Sequence, residues 1–256
     1  VDVSADAYPY TAYSTSLNIY LKPWAKEGGA EAIAARLRKS DTRARIRGEV
    51  EEQIVNDPGS YERVIIIGAK NEKNKPVIGM NLVEIGELWN MEPVDAMLQL
   101  IEEEETNVPF VGHGMSPENV EMVLSQPWVM IGSDGYSLAP RDKALETRHH
   151  PRSYGTYPRV LGYYARERKI FDLPLAVKKM TSMPADRMGF TDRGRIAMGM
   201  KADLVVFDQA TVRDKATFDD PHQYPVGIKY VLVNGELAAE DGKHTGARPG
   251  RVLRKA

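Results

Sequence analysis

Residues 128–135 read Trp128-Val129-Met130-Ile131-Gly132-Ser133-Asp134-Gly135. The apolar run at 128–131, with β-branched Val129 and Ile131, predicts a short strand buried on both faces. The Gly-Ser-Asp-Gly that follows stops the strand and opens a turn. In a parallel α/β barrel the C-terminal strand ends point into the active site, and glycines let ligand or backbone approach closely. A carboxylate at Asp134 is therefore placed to ligate a metal, orient a bound water or act as general base. Ser-Asp-Gly is also ordinary turn chemistry, so a plain turn cap stays open for Asp134 at this point.

Working upstream, Ser116-Pro117-Glu118 starts a helix: a hydroxyl N-cap, proline at the first helical position, then an acid. That helix closes near Gln126-Pro127. Pro109–Val111 reads as a strand. Residues 93–105 form a helix with Val94, Met97, Leu98 and Ile101 on one face, and Glu102–Glu105 is read as its solvated end. Leu82, Ile85 and Leu88 predict another helix, and Val64-Ile65-Ile66-Ile67 a buried strand. Apolar spacing gives helices from Ala30 and after Asp41, the second stopped by Asp57-Pro58-Gly59-Ser60. Residues 11–28 read as an ordered loop, and 1–6 (VDVSAD) as a strand ended by Tyr8-Pro9-Tyr10. Strands alternating with helices at crossover length predict an α/β fold with parallel strands.

Downstream, residues 149–159 show no helical or strand period until about residue 159. Helices follow at 173–181 and 184–188. The last sixty residues change character: Leu204–Phe207, Tyr230–Val233 and Glu236–Ala239 are short strands, and Asn234-Gly235 has the type I′ hairpin signature.

Composition bounds the function. The 256 residues are 42% hydrophobic and 27% charged, enough to bury a core. Lys+Arg 34 against Asp+Glu 36 leaves a net charge of −2, without the basic excess that nucleic-acid binding requires. There is no cysteine, which excludes a disulfide scaffold or a thiolate metal site built from this chain, and fits a reducing, cytoplasmic setting. No apolar run approaches ~18 residues, so no transmembrane helix is expected. No Walker A, GxGxxG or GxSxG occurs, so phosphate cradling, dinucleotide binding and a serine nucleophile have no support.

Beyond Asp134, the segment His149-His150-Pro151-Arg152-Ser153-Tyr154-Gly155-Thr156-Tyr157-Pro158-Arg159 concentrates candidates. Either Arg152 or Arg159 offers a planar fork for a substrate carboxylate; the plain alternative is an exposed basic loop. His149 and His150 are poor joint metal ligands, being adjacent and outside any HxH or HxxxH pattern. His113 ends a strand, where it can line a site, whereas His222 and His244 read as surface residues. Tyr8, Tyr10, Tyr13, Ser14 and Thr15 follow the first strand, as hydrogen-bond donors to a carboxylate or oxyanion or as packing with solvated hydroxyls.

Four segments together resemble one family. They are Asp6-Ala7-Tyr8-Pro9-Tyr10-Thr11-Ala12, Gly132-Ser133-Asp134-Gly135, His150 through Gly162 (HPRSYGTYPRVLG) and Gly199 through Asp208 (GMKADLVVFD). They occur in the same order in the N-acyl-D-amino-acid deacylases, or D-aminoacylases, of the amidohydrolase superfamily. The ADLVVFD and VNG elements are widespread in that superfamily; the HPR…PRVLG stretch is far more specific.

The resemblance implies the C-terminal part of a metal-dependent (β/α)₈ TIM-like barrel, residues 1–190, with a β-rich tail, 191–256, completing a small β-sandwich. It implies amide hydrolysis of an N-acyl-D-amino acid by zinc-activated water. Asp134 matches the family's metal-binding aspartate and general base, Arg152 its arginine for the substrate carboxylate, and Tyr8 and Ser14 positions lining the same pocket. The family's other Zn²⁺ ligands, an HxH pair, a cysteine and two histidines, match sequence upstream of VDVSAD. Residues 1–256 alone are therefore expected to be inactive, with the loops at 11–28 and 68–80 shaping the side-chain pocket. The competing readings are a cyclic amidase of hydantoinase or dihydroorotase type, and a non-catalytic half-barrel that docks on a separate metal-binding chain.

Overall fold

A computed structural model of the chain describes residues 3–55, 61–105 and 107–254. In order, the elements are β1 (Ala5–Ala7), β2 (Ala12–Ser16), α1 (Pro23–Lys26), α2 (Gly29–Leu37), α3 (Ser40–Val55), β3 (Val64–Ile66), α4 (Leu82–Trp89) and α5 (Pro93–Glu104). Then come β4 (Pro109–His113), α6 (Pro117–Ser125), β5 (Val129–Ile131), α7 (Arg152–Arg159), α8 (Leu173–Met180) and α9 (Ser182–Met188). The last are β6 (Leu204–Phe207), β7 (Ile228–Val233), β8 (Glu236–Glu240) and β9 (Lys243–His244). Val1 and Asp2 of the first predicted strand, and the stop at 57–60, lie outside the described residues. Two compact units alternate along the chain: residues 1–10, 116–139 and 151–256 form the first, 11–115 and 140–150 the second.

In the second unit β2, β4 and β3 make an antiparallel sheet in that order, with both Ser14 and Ile65 opposite Val111. This corrects the expectation that the strands at 64–67 and 109–111 are parallel. A short β-branched run reports burial on both faces, and a covered central strand is buried whichever way its neighbours run. Residues 11–28 are likewise not a loop: β2 leads into a 3₁₀ turn over Leu17–Tyr20 and then α1. Leu17, Tyr20, Leu21 and Ala25 belong to the core of this unit, with Phe110 and the inner faces of α2, α4 and α5. A strand written Ala-Tyr-Ser-Thr-Ser carries little apolar alternation, so only its pairing with β4 reveals it.

Helix α5 buries Val94, Met97, Leu98 and Ile101, as their spacing predicts. Its acidic end is not simply solvated, and here the reading is corrected at Glu104. That side chain is buried and accepts hydrogen bonds from the Lys70 and Asn71 backbone N–H groups, the former at 2.6 Å, and from the Asn74 amide at 2.8 Å. Glu102 pairs with Arg43 at 2.8 Å and Glu103 with Lys73 at 2.9 Å. Carboxylates that oppose the helix dipole are kept because each has a fixed donor elsewhere in the unit.

In the first unit β1 and β5 pair in parallel, Ala5 with Val129 and Ala7 with Ile131. Between them lies α6, capped as read, the Ser116 hydroxyl accepting from the Asn119 N–H at 3.2 Å. The tail strands form an antiparallel sheet in the order β6-β7-β8-β9, turning at Asn234-Gly235 with φ of 50° and 84°. Two consecutive positive φ values are what a type I′ turn requires, and Gly235 supplies the second without steric cost.

Lys179 on α8 ties this unit together, a role that helical spacing does not reveal. It has no exposed surface, and its ammonium donates to the carbonyls of Gln126 and of Val129, the latter at 2.8 Å. Burial lowers its pKa below the ordinary lysine value. The two carbonyls flank the turn from α6 into β5, so Lys179 fixes where β5 begins. Lys179→Ala is expected to lower unfolding stability by about 3–5 kcal/mol, through a cavity and the loss of two buried charge-assisted hydrogen bonds. Lys179→Met refills the space and should lose only about 1–3 kcal/mol. Urea denaturation of both variants checks this; equal midpoints for Lys179→Ala and the parent would refute it.

Candidate active site at the end of the parallel strands

Asp134 stands just beyond β5, in the left-handed region at φ 46°. That conformation is uncommon outside glycine, with Asp and Asn among the residues that adopt it. It is held from several directions. The Gly135 N–H donates to the Ser133 hydroxyl at 3.3 Å, and the Tyr136 N–H donates to the Ser153 hydroxyl at 3.2 Å. Gly135 lies so close to α7 that a Cβ there would come within 2.9 Å of the Arg152 carbonyl oxygen and the Ser153 Cα. The Asp6 carboxylate, from β1, rests against Gly132.

The Arg152 guanidinium reaches the Asp134 carboxylate at 2.9 Å, with side-chain exposures of 8% and 67% respectively. It also lies over the Tyr8 ring, whose centre is 5.1 Å from Cζ, within cation–π range. Three of the predicted residues, Asp134, Arg152 and Tyr8, are thus brought together at the C-terminal ends of β1 and β5. Ser14, the fourth, lies in β2 of the second unit, opposite Val111. A buried cation carries a solvent-facing carboxylate on its outer side. A second anion arriving from solvent would find a preformed guanidinium fork and an adjacent proton acceptor.

From Arg152 onward the segment is helical, which corrects the aperiodic reading of 149–159. Gly, Tyr, Thr and an internal Pro158 are poor helix formers, and Pro158 removes a backbone donor. Tertiary burial of Tyr154, Gly155, Thr156 and Pro158 outweighs that local preference. The helix then continues as a π-helix over Val160–Glu167, a rare geometry that is frequent at functional sites.

Arg159, the other candidate for a substrate carboxylate, is otherwise engaged. Its Nε donates to the Pro9 carbonyl at 2.9 Å and Nη1 contacts Asp214 at 3.2 Å. Burial, helped by Asp214, pushes the neighbouring Tyr10 phenol far above its ordinary range, so Tyr10 is a neutral packing group. His150 is buried in the second unit, with Nε2 2.9 Å from the Ala12 carbonyl. His113 ends β4 opposite Ala12. His222, read as a surface residue, is half-buried, with Nδ1 3.2 Å from the Tyr154 hydroxyl; His244 is exposed, as read. Asp214 and Lys179 had no signal in the sequence, one a loop aspartate and the other in a Lys-Lys helix end that reads as solvated. Among the described residues no group of three or more His, Asp and Glu side chains converges as a metal site. No helix among them is long and apolar enough to cross a membrane.

The sequence profile described as the Amidohydrolase family matches residues 84–239. A D-aminoacylase of Alcaligenes xylosoxydans xylosoxydans is 47% identical over 139 residues, covering 54% of this chain and 27% of that protein. A crystal structure of D-aminoacylase, which defines a novel subset of amidohydrolases, superposes with a TM-score of 0.72 at 34% identity. It covers 99% of this chain and 43% of its own. The N-acyl-D-glutamate deacylase from Bordetella bronchiseptica has a TM-score of 0.71 at 31% identity over the same shares, 99% and 43%. That protein was crystallised with zinc and a phosphonate inhibitor mimicking the tetrahedral intermediate of its reaction. The α/β class expected from the sequence is the fold these structures share with the chain, which spans under half the length of the relatives it matches.

Proposed function

Because this chain belongs to the amidohydrolase family, we propose that the complete protein carrying it hydrolyses the amide bond of N-acyl-D-amino acids, releasing a carboxylate and a free D-amino acid. The observation that carries this reading is the Arg152–Asp134 contact of 2.9 Å beyond β5. In an N-acyl α-amino acid the free carboxylate and the scissile nitrogen are bonded to one carbon. A residue that binds the first must therefore sit beside the residue that works on the second. Arg152 and Asp134 stand in that relation, with the Tyr8 ring backing the guanidinium.

In this reading the substrate carboxylate takes the Arg152 fork in place of the Asp134 oxygen. Asp134, released from its ion pair, accepts the proton of the attacking water and passes it to the leaving nitrogen. Zinc, when bound, supplies Lewis-acid polarisation and an acidified water. Asp134 fits as one oxygen ligand, but the described residues of this chain do not make a complete zinc site. The other ligands would come from the additional length that the relatives possess. We assign residues 1–190 to the barrel part with its substrate loops and 191–256 to the sandwich part, in a cytoplasmic protein.

Assay of the complete protein against N-acetyl-D-amino acids, their L-enantiomers and hydantoins tests the reading. Turnover confined to the D-series and abolished by a chelator is expected. Hydantoin hydrolysis without deacylation would overturn it in favour of a cyclic amidase.

A further inference from the structure

Arg152 and Arg159 lie seven residues apart on α7, and two helical turns bring them back to one face. Along that face run Tyr8, Pro9 and Tyr10. The Tyr8 ring stacks under Arg152 and the Tyr10 ring under Arg159, each with its centre 5.1 Å from the guanidinium carbon. These are two similar rungs between one helix and one extended segment, but their surroundings differ. The first opens onto the exposed Asp134 carboxylate. The second is tied into the protein: Tyr10 is 3% exposed, and Arg159, with 29% of its side chain exposed, donates to the Pro9 carbonyl at 2.9 Å. Asp214, with 10% of its side chain exposed, meets Arg159 Nη1 at 3.2 Å. Gly155, between the rungs, permits this closeness, since a Cβ there would come within 2.7 Å of the Tyr10 hydroxyl and 2.9 Å of the Asp214 Cβ.

We infer that Arg159 is a positioning residue: through Pro9 and Asp214 it sets the register of α7 against the Tyr8-Pro9-Tyr10 segment, and so aims Arg152 at the substrate carboxylate. The inference rests on the proposed carboxylate role of Arg152, but its geometric part stands apart from it. A rung tied to the Pro9 carbonyl and to Asp214, two turns along the same helix, is the simplest device for holding the first rung in place while its salt bridge is exchanged for substrate. Two of the three Arg159 nitrogens, Nε and Nη1, are engaged by Pro9 and Asp214, so a bidentate grip on a substrate carboxylate through Nη1 would compete with Asp214.

The test uses the complete protein and three variants, Arg159→Met, Arg159→Lys and Asp214→Asn, assayed on an N-acyl-D-amino acid and on its carboxamide. Arg159→Met should raise KM for the carboxylate substrate by about 10- to 100-fold with little change in kcat, the scale of a misplaced binding group. The carboxamide, which gives Arg152 no anion to bind, should be turned over as before. Arg159→Lys keeps the cation and loses the fork, so it should recover part of the loss, and Asp214→Asn should show a smaller change in the same direction. In an Arg152→Met background, Arg159→Met should change KM no further. Additive losses would mean that Arg159 touches substrate itself, and equal losses on both substrates would mean a merely structural role; either overturns the inference. If Arg152→Met fails to separate the two substrates, the proposed function fails on its own account. A crystal structure of Arg159→Met, or of Asp214→Asn if the first variant does not fold, then decides the rest. Displacement of Arg152 from the Tyr8 ring supports the inference, and an unmoved Arg152 ends it.

Discussion

Asp134→Asn is expected to lower kcat of the complete protein by about 10³-fold or more, the usual range for loss of a general base that also binds metal. The substitution is nearly isosteric, and it suits the backbone. At φ 46° Asn is accommodated as well as Asp, whereas Ala or Glu would add backbone strain to any chemical effect. The amide oxygen still offers Arg152 an acceptor at the position of the present 2.9 Å contact. Because Asp134 is 67% exposed, its charge contributes little to stability, and the melting temperature should stay within a degree or two. A drop in kcat with an unchanged melting temperature is therefore the signature to look for. Activity within tenfold of the parent would remove Asp134 from the mechanism and return it to the turn cap that its sequence context equally allows.

The second large effect is at Arg152. Arg152→Met should raise KM for an N-acyl-D-amino acid by about 10²–10³-fold, or roughly 3–4 kcal/mol of binding by the tenfold-per-1.4 kcal/mol relation. Arg152→Lys should recover only part of this, since an ammonium lacks the planar fork. At 8% exposure the side chain is also packing material against Tyr8, so methionine is the better replacement than alanine. Initial-rate measurements across substrate concentration check the prediction. A variant whose KM is unchanged while kcat collapses would place Arg152 at the reacting centre instead of on the carboxylate.

How far the site could be read from the chain depends on how local its cause is. Asp134 was legible because a four-residue apolar run and two flanking glycines mark a strand end without outside help. Arg152 was legible as a candidate only by residue type, and its helix was hidden by Gly155 and Pro158, which are overruled by burial at long range. By residue type Arg152 and Arg159 are equivalent; Pro9 and Asp214, distant in sequence, distinguish them by engaging Arg159. The antiparallel sheet of the second unit escaped for the same reason: β2 becomes a strand through its register with β4, nearly a hundred residues on. Helices α2, α3, α4 and α5 carry their evidence in their own spacing, and all four are where the pattern places them. Glu104 shows the limit of that rule, since periodicity finds the helix but not the backbone amides its last carboxylate will serve.

The alternation of the two units bears on how the chain reaches this state. Pairing β1 with β5 closes a loop of about 120 residues, an entropic cost that grows with the logarithm of loop length. The inserted stretch from Thr11 to Met115 has its own core, and its two ends are joined by a hydrogen bond from the Met115 N–H to the Thr11 carbonyl at 3.1 Å. Once that stretch has formed, the loop still to be closed shrinks to about 20 residues, a saving of about 1.6 kcal/mol at the moment β1 meets β5. The contact order that matters for pairing β1 with β5 is then that of a far shorter chain. An insertion of this size works as a folding shortcut between the two strands at whose ends Asp134, Arg152 and Tyr8 meet.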